Sequence, residues 1–460
     1  MTESLLQQKL FLLNKKMKKI FLFTVYCLLF VAFSCRPNLK NPTPSSGDAD
    51  FSKFVSVGGN FMAGYQDGAL YYAGQQYSIP YLIAKYMHLA GGPAEFAQPF
   101  MPNDTKGLGI NPKPWESKYQ HASNLRYRTD CLGVNGLKPV KDLFSIEGTY
   151  GYNVFGGQNI SVPFAHVSEY NNASLGISPS YPFYNRFASQ PGISTMLSDA
   201  KAQQPTFFAL WAGMEDIYDY ARNGGYNQTI LSSSSFSLYL DSICSLAPQG
   251  VIANIPDLSS FPFYTLVPWN GADLNQGKTD SLNLAYFGSP PYTGLDTFHV
   301  GKNGFMIEDP ASTSPPAGYR KMRSGEYILL TIPLDSLKCY KMGTFIPLPD
   351  RYVLDSSEVS VINTAIINYN MVISAKAQQY GLALVDMNAY FKSVVKGIKW
   401  NGVDLNATFV SGGFFSLDGY HPNQKGYALI ANEFVKAINS KYNSTIPTVN
   451  CPECSGIKFP

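Results

Sequence analysis

Charge is scarce in this sequence: 15% of its 460 residues are Asp, Glu, Lys or Arg, against 45% hydrophobic, and the net charge is +3. No basic stripe runs through it, so it lacks the electrostatic footprint of a phosphate-backbone binder and nucleic acid is not an expected partner. So much apolar material excludes intrinsic disorder and allows a large core, as one big domain or two modest ones. There is no internal repeat, which excludes repeat architectures. Beside Cys451-Pro-Glu-Cys454 no second ligand pair has zinc spacing, so neither metal nor cofactor is expected.

The apolar run at the N-terminus is too short to be a span. Lys15, Lys16, Lys18 and Lys19 precede Ile20 to Phe33, which as a helix would reach roughly 21 Å, short of the ~30 Å hydrocarbon core. The pattern is that of a secretory signal. Ser34-Cys35 closes it in "VAFSC", similar to a bacterial lipobox, with Ala32 where Leu is usual. The expectation is a signal peptide over 1–35, lipidated at Cys35, in a lipoprotein anchored to the bacterial envelope and facing the periplasm or the surface, on the outer membrane. A plain signal peptide or an uncleaved anchor is the alternative, and Met17 is an alternative start. Residues 36–50, rich in Pro, Ser and Asn, read as a flexible tether.

Five cysteines follow Cys35, and an odd number cannot all pair within one chain. Cys451-Pro-Glu-Cys454 lies in a Pro-containing tail, 446–460, and reads as a local staple rather than a redox centre.

The body, 51–445, alternates short buried strands with amphipathic helices. "FVSVG" opens it. Ile79, Leu82, Ile83, Tyr86 and Met87 recur at helical spacing before Gly91-Gly92-Pro93. "TFFALWAG" and "GVIANIP" read as strands. Val359, Ile362, Ile366 and Ile373 mark a long helix before the strand "LALVD", and Tyr427, Ile430, Phe434, Val435 and Ile438 mark the last one. This alternation predicts an α/β fold, three layers α/β/α with a mostly parallel central sheet. Insertions are expected over about 93–150 and 265–325. In such sheets ligands bind at the carboxyl ends of the strands, which directs attention to Gly58-Gly59-Asn60, Gly213 to Asp216, Asn254 to Asp257, and "FFSLDGYHPN". The abundant Tyr and Phe, as in "YPFYNRF" (181–187), read as core rather than sugar-stacking platforms. His88, His121, His166 and His299 read as structural or surface residues.

Several ordered blocks carry a family resemblance. "SLDGYHPNQKGYALIANEF", "RFASQPG" leading to "PTFFALWAGMEDIYDYARNGG", and "VIANIPDLSSFPF" resemble the SGNH (GDSL-type) hydrolases, in particular the lipoprotein members of Bacteroidetes-type bacteria, over about 53–442. The resemblance implies ester hydrolysis by a Ser nucleophile, a His base, an Asp three residues before it, and an oxyanion hole of one Gly N–H and one Asn side chain. Asp418 and His421 match the Asp and His, and their spacing predicts a carboxylate holding imidazole Nδ1–H.

Three positions depart from the pattern. Asn60 stands where the Ser belongs, with Gly59 where Asp usually precedes it. Phe164 stands at the oxyanion Gly, its ring expected to narrow the pocket, and Glu215 takes the oxyanion Asn. Losing one such donor costs about 2.7–4 kcal/mol, and an ionised Glu215 would repel the oxyanion by about 5 kcal/mol at roughly 3 Å and an effective dielectric near 20. A protonated Glu215 would instead donate. Glu215, Asp418 and His421 are chemically able to hold a divalent ion, but no ligand spacing supports it. Two functions stay open. One is a non-catalytic binder of an acylated glycan or lipid. The other is an active esterase with a relocated nucleophile, Ser56 and Ser416 being the nearby serines and both reading as structural.

Overall fold

The structure is a computed structural model. It describes residues 43–460 apart from 103–105, 111–118, 145–156, 178–181, 226–227 and 314, with a few helical positions between 11 and 21. Cys35, nearly all of the apolar run before it and the Cys451 side chain lie outside the described residues. The chain divides into two units, Met1–Thr43 and Pro44–Pro460, and the second carries the fold. Among the described residues no helix is long and apolar enough to cross a membrane.

The fold is α/β, built on a five-stranded sheet in which every pairing is parallel. Its strands are β1 (Phe54–Gly58), β2 (Asn159–Ser161), β3 (Phe207–Trp211), β4 (Gln249–Ala253) and β5 (Ala383–Val385). β1 and β3 are buried along their whole length, as strands covered on both faces must be. Their one polar residue, Ser56, is satisfied internally, its Oγ donating to Asn159 Oδ1 at 2.8 Å.

Helices flank the sheet. α1 (Asn60–Ala63), α2 (Ile79–Met87) and α8 (Gln424–Tyr442) form one group, in which α8 packs on α2, β4 and β5. α3 (Met196–Ala202), α4 (Met214–Arg222), α5 (Ser233–Cys244) and α6 (Ser356–Gln379) form the other, α6 packing on α4, α5 and β4. α7 (Met387–Lys396) follows β5. The helix faces read from the sequence are the buried ones: Ile362, Ile366 and Ile373 in α6, and Tyr427, Ile430, Phe434, Val435 and Ile438 in α8. Asp355 caps α6, its side chain accepting from the Ser357 and Glu358 amides, which satisfies donors that a helix start leaves orphaned. Phe183, Tyr184 and Phe187 are core residues.

The strand order β2-β1-β3-β4-β5 reverses direction between β1 and β3. That reversal opens a crevice at the carboxyl ends of the strands, where Asn60 and Glu215 lie, one at the end of β1 and the other just past β3. The insertions build above the sheet. An antiparallel hairpin, Asn124–Thr129 with Asn135–Val140, is tied to the helix Leu334–Cys339 by a disulfide between Cys131 and Cys339. The second insertion has a small core of its own that includes Phe305, Ile307, Ile328, Leu348 and Val353, so it runs past the expected end at 325. A longer body was hidden because these strands are two or three residues long and lack periodicity.

Residues 36–42 of the expected tether lie outside the described residues, and 44–50 differ from expectation. From Pro44 the chain is docked: the Thr445 amide donates to Ser45 O at 2.8 Å and the Asp48 amide to Tyr442 O at 2.7 Å. Phe51 is 1% exposed. The segment's backbone bonds the end of the last helix, and the Asp48 side chain accepts from Asn443 at its cap.

Candidate functional site

β1 ends in Gly58-Gly59, and the chain turns into α1 at Asn60. A Cβ on Gly59 would collide with the Glu215 carboxyl group, so the glycine is required by the side chain packed on it. Glu215 stands in the first turn of α4, just after β3. The Asn60 amide donates to Glu215 Oε1 at 2.6 Å. Asn60 Oδ1 in turn accepts from the Phe164 amide at 2.8 Å, which fixes the orientation of the side-chain amide. Asn60, Glu215 and Phe164 thus form one buried hydrogen-bonded chain, with Asn60 3%, Glu215 4% and Phe164 5% exposed.

The consequence for oxyanion chemistry is direct. The Phe164 N–H, a free donor as far as the sequence alone could tell, is occupied by Asn60. The residue 60 amide is occupied by Glu215. Glu215 Oε1 is taken by that amide, while its Oε2 has no hydrogen-bond partner among the described residues.

Burial, opposed by the hydrogen bond from Asn60 and aided by the Asp219 and Asp216 charges, pushes the Glu215 carboxyl up to about 8. Of the two charge states considered from sequence, the neutral one therefore holds below that pH. The ~5 kcal/mol repulsion is replaced by a different disability: the backbone donors of residues 60 and 164 are consumed by internal partners, and the protonated Glu215 Oε2 is the one donor left beside Asn60 among the described residues.

Phe164 keeps the backbone that a Gly position favours, with φ at +64°. Its ring packs edge-on against Tyr65 at 5.2 Å and lies under the Arg222 guanidinium at 4.8 Å. Arg222 pairs with Asp219, which also accepts from His166 Nε2 at 2.9 Å. Burial would lower the His166 pKa, but the Asp219 hydrogen bond and the Asp219, Asp216 and Glu169 charges outweigh it and raise it to about 9. His166 is structural, as read from the sequence, and its cation helps hold the carboxylate that orients Arg222.

Asp418 and His421 meet as their spacing predicts, with Nδ1 2.9 Å from Asp418 Oδ2. The carboxylate also accepts from the amides of Gly68, Tyr420 and His421. Burial alone would raise its pKa, but the His421 charge, its side-chain hydrogen bond and these amides hold it below the usual carboxylate range. Among the described residues His421 Nε2 has no hydrogen-bond partner, so the imidazole is not linked to Asn60.

The site is split between two cavities. Asp418, His421, Phe164, Arg222 and Tyr420 line one of about 540 Å³, within the range for small-molecule sites. Asn60 and Glu215 line a neighbouring void of about 10 Å³, sharing Arg222, Phe263 and Tyr420 with the large one. Ser56 is held by Asn159, and Ser416, 0% exposed, accepts from the Asp67 amide at 2.9 Å. Asn254 and Asp257 tie the end of β4 to Asp386 and Asn388 and stay outside both cavities. Among the described residues no His, Cys, Asp and Glu group is arranged to hold a metal.

Arg222 and Gln120, both in the large cavity wall, were not singled out from sequence. Arg222 stands three residues after Asp219 on α4, a helical-spacing signal for an ion pair. Gln120 comes from an insertion and carries no signal.

No protein-family model matches the chain, and no curated protein matches it. Among solved structures it is similar to a crystal structure described as LAE5, an alpha/beta hydrolase enzyme from the metagenome of Lake Arreo, Spain. Identity is 10%, over 86% of this chain and 98% of that one, with a TM-score of 0.34. A likeness at that level carries no argument, and the fold assignment rests on the sheet itself.

Proposed function

We propose that this chain is an exported lipoprotein of the SGNH/GDSL hydrolase class that does not catalyse ester hydrolysis and uses its crevice to bind an acylated glycan or lipid. The observation that carries the reading is the chain of hydrogen bonds from the Phe164 amide to Asn60 Oδ1 and from the Asn60 amide to Glu215 Oε1. It leaves neither a nucleophile nor a free pair of oxyanion donors. The retained Asp418–His421 pair has no hydroxyl to activate at position 60. A relocated nucleophile gains no support from Ser56 or Ser416, whose hydroxyls are engaged within the fold.

Assays with short acyl esters across chain lengths test this. The wild-type protein is expected to give no turnover above the His421→Ala variant. Turnover that is lost in His421→Ala would contradict the proposal and assign the retained pair to catalysis.

A further inference from the structure

The polar groups in the wall of the large cavity show which kind of head group it takes. Much of the wall is apolar, from Ile110, Leu137, Phe263, Leu330, Ile332 and Phe409 among others. Four cations also belong to it, and each is engaged. Arg222 pairs with Asp219, Lys338 with Asp130 at 3.1 Å and Lys138 with Asp335 at 3.8 Å, while Lys141 also has a partner. Each cation of the wall thus already has a partner among the protein's own residues, Asp219 serving both Arg222 and His166.

Its unmet groups have the opposite character. Among the described residues of this wall, two buried side-chain polar atoms lack a hydrogen-bond partner, His421 Nε2 and Gln120 Oε1. His421 is 3% exposed and Gln120 2% exposed. Both atoms are acceptors. Gln120 Nε2 donates to Gly68 O at 2.8 Å, which fixes the amide orientation and leaves Oε1 as the unmet end. In the tautomer that gives Nδ1–H to Asp418, Nε2 is the lone-pair acceptor of the ring. A ligand that donates to an unmet buried acceptor relieves the penalty of leaving it dry and unpaired.

We infer that the cavity recognises a neutral amphiphile through a hydrogen-bond donor, a hydroxyl or amide N–H, set against His421 and Gln120, and that it selects against ester carbonyls and carboxylates at that position. This rests on the binding reading above and deepens it: an acylated glycan or partial glyceride would present a free hydroxyl to the wall, not its ester. An ester carbonyl only accepts, and the donors that would serve it at residues 60 and 164 are consumed.

Calorimetric titration of the full chain at pH 7.5 with 1-decanol, methyl decanoate and decanoate separates the possibilities. The alcohol is expected to bind at least about tenfold more tightly than the ester, as one recovered hydrogen bond allows. 1-Decanol has one hydroxyl proton, so the variant that removes its acceptor, Gln120→Met or His421→Phe, is expected to erase that preference; a preference retained in both variants overturns the inference. Ester binding equal to the alcohol overturns the inference and leaves the binding reading standing. Preference for decanoate also overturns it, since the wall would then be donating. Binding of none of the three overturns the inference and the binding reading together.

Discussion

At the residue scale, Asn60 accounts for the residues around it. Its side-chain carbonyl oxygen takes the Phe164 amide, at the position where the sequence resemblance would place a nucleophilic hydroxyl. Glu215 has the reach to take the amide of residue 60, and Gly59 is small because that carboxyl lies where a Cβ would be. Glu215 also makes stability depend on pH. Its ordinary value of 4.5 is raised by burial to about 8. Between those limits the unfolded chain has released a proton that the folded chain keeps, so the contribution is full below 4.5 and is lost as pH rises toward 8. The slope is about 1.4 kcal/mol per pH unit at most. Glu215→Gln retains an acceptor for the Asn60 amide and removes the titration. Its unfolding free energy relative to wild type is expected to climb by a few kcal/mol from about pH 5 to about pH 8 in denaturant titrations. A difference that stays flat over that range would mean that Glu215 is ionised in the folded protein.

At the element scale, the sheet and its helices were legible and the cavity walls were not. Each of α2, α6 and α8 carries a face of apolar residues at helical spacing, and β1, β3 and β4 are apolar runs bounded by Gly or Pro. The Asp418–His421 contact was legible because three residues suffice to set it. The hairpin Asn124–Val140 and the helix Leu334–Cys339 meet across a sequence separation of 208 through Cys131 and Cys339. Nothing local signals that meeting, and the cysteine count alone leaves the partner open. The Glu215–Asn60–Phe164 chain was hidden for the same reason: its members come from three segments, and matching each segment to a family block shows which residue differs without showing that the three bond to one another.

The staple spans two elements that both line the large cavity. Removing it as Cys131→Ser with Cys339→Ser leaves two ion pairs at the same contact, each worth about 0–1 kcal/mol when partly exposed, against about 2–4 kcal/mol for a disulfide. Hydrogen exchange is expected to speed up in 124–140 and 334–339 and to stay unchanged in β1, β3 and β4. Unchanged exchange in the hairpin would show that the disulfide is redundant there.

At the scale of the whole molecule, the two ends of the sheet do different things. The chain enters the domain at the amino ends of the strands: the Asp50 amide donates to Gln249 at the start of β4, and Lys53 O accepts from Thr206 and Phe207 at the start of β3. The crevice, Asn60 and Glu215 lie at the other end. Neither the docked segment nor the helix termini that hold it line either cavity of the site.

The site is chemically silent, on this account, because position 60 cannot be acylated and its donors are consumed. Fluorophosphonate labelling, read by intact-protein and peptide mass, tests it most directly across the wild type, Asn60→Ser, Glu215→Asn and the double variant. The wild type is expected to stay unlabelled. Asn60→Ser is expected to label weakly, because Glu215 still holds the amide of residue 60. The double variant is expected to label at position 60 well beyond the sum of the singles, since nucleophile and oxyanion donors act as a unit. A stoichiometric adduct on any serine of the wild-type protein would contradict the account.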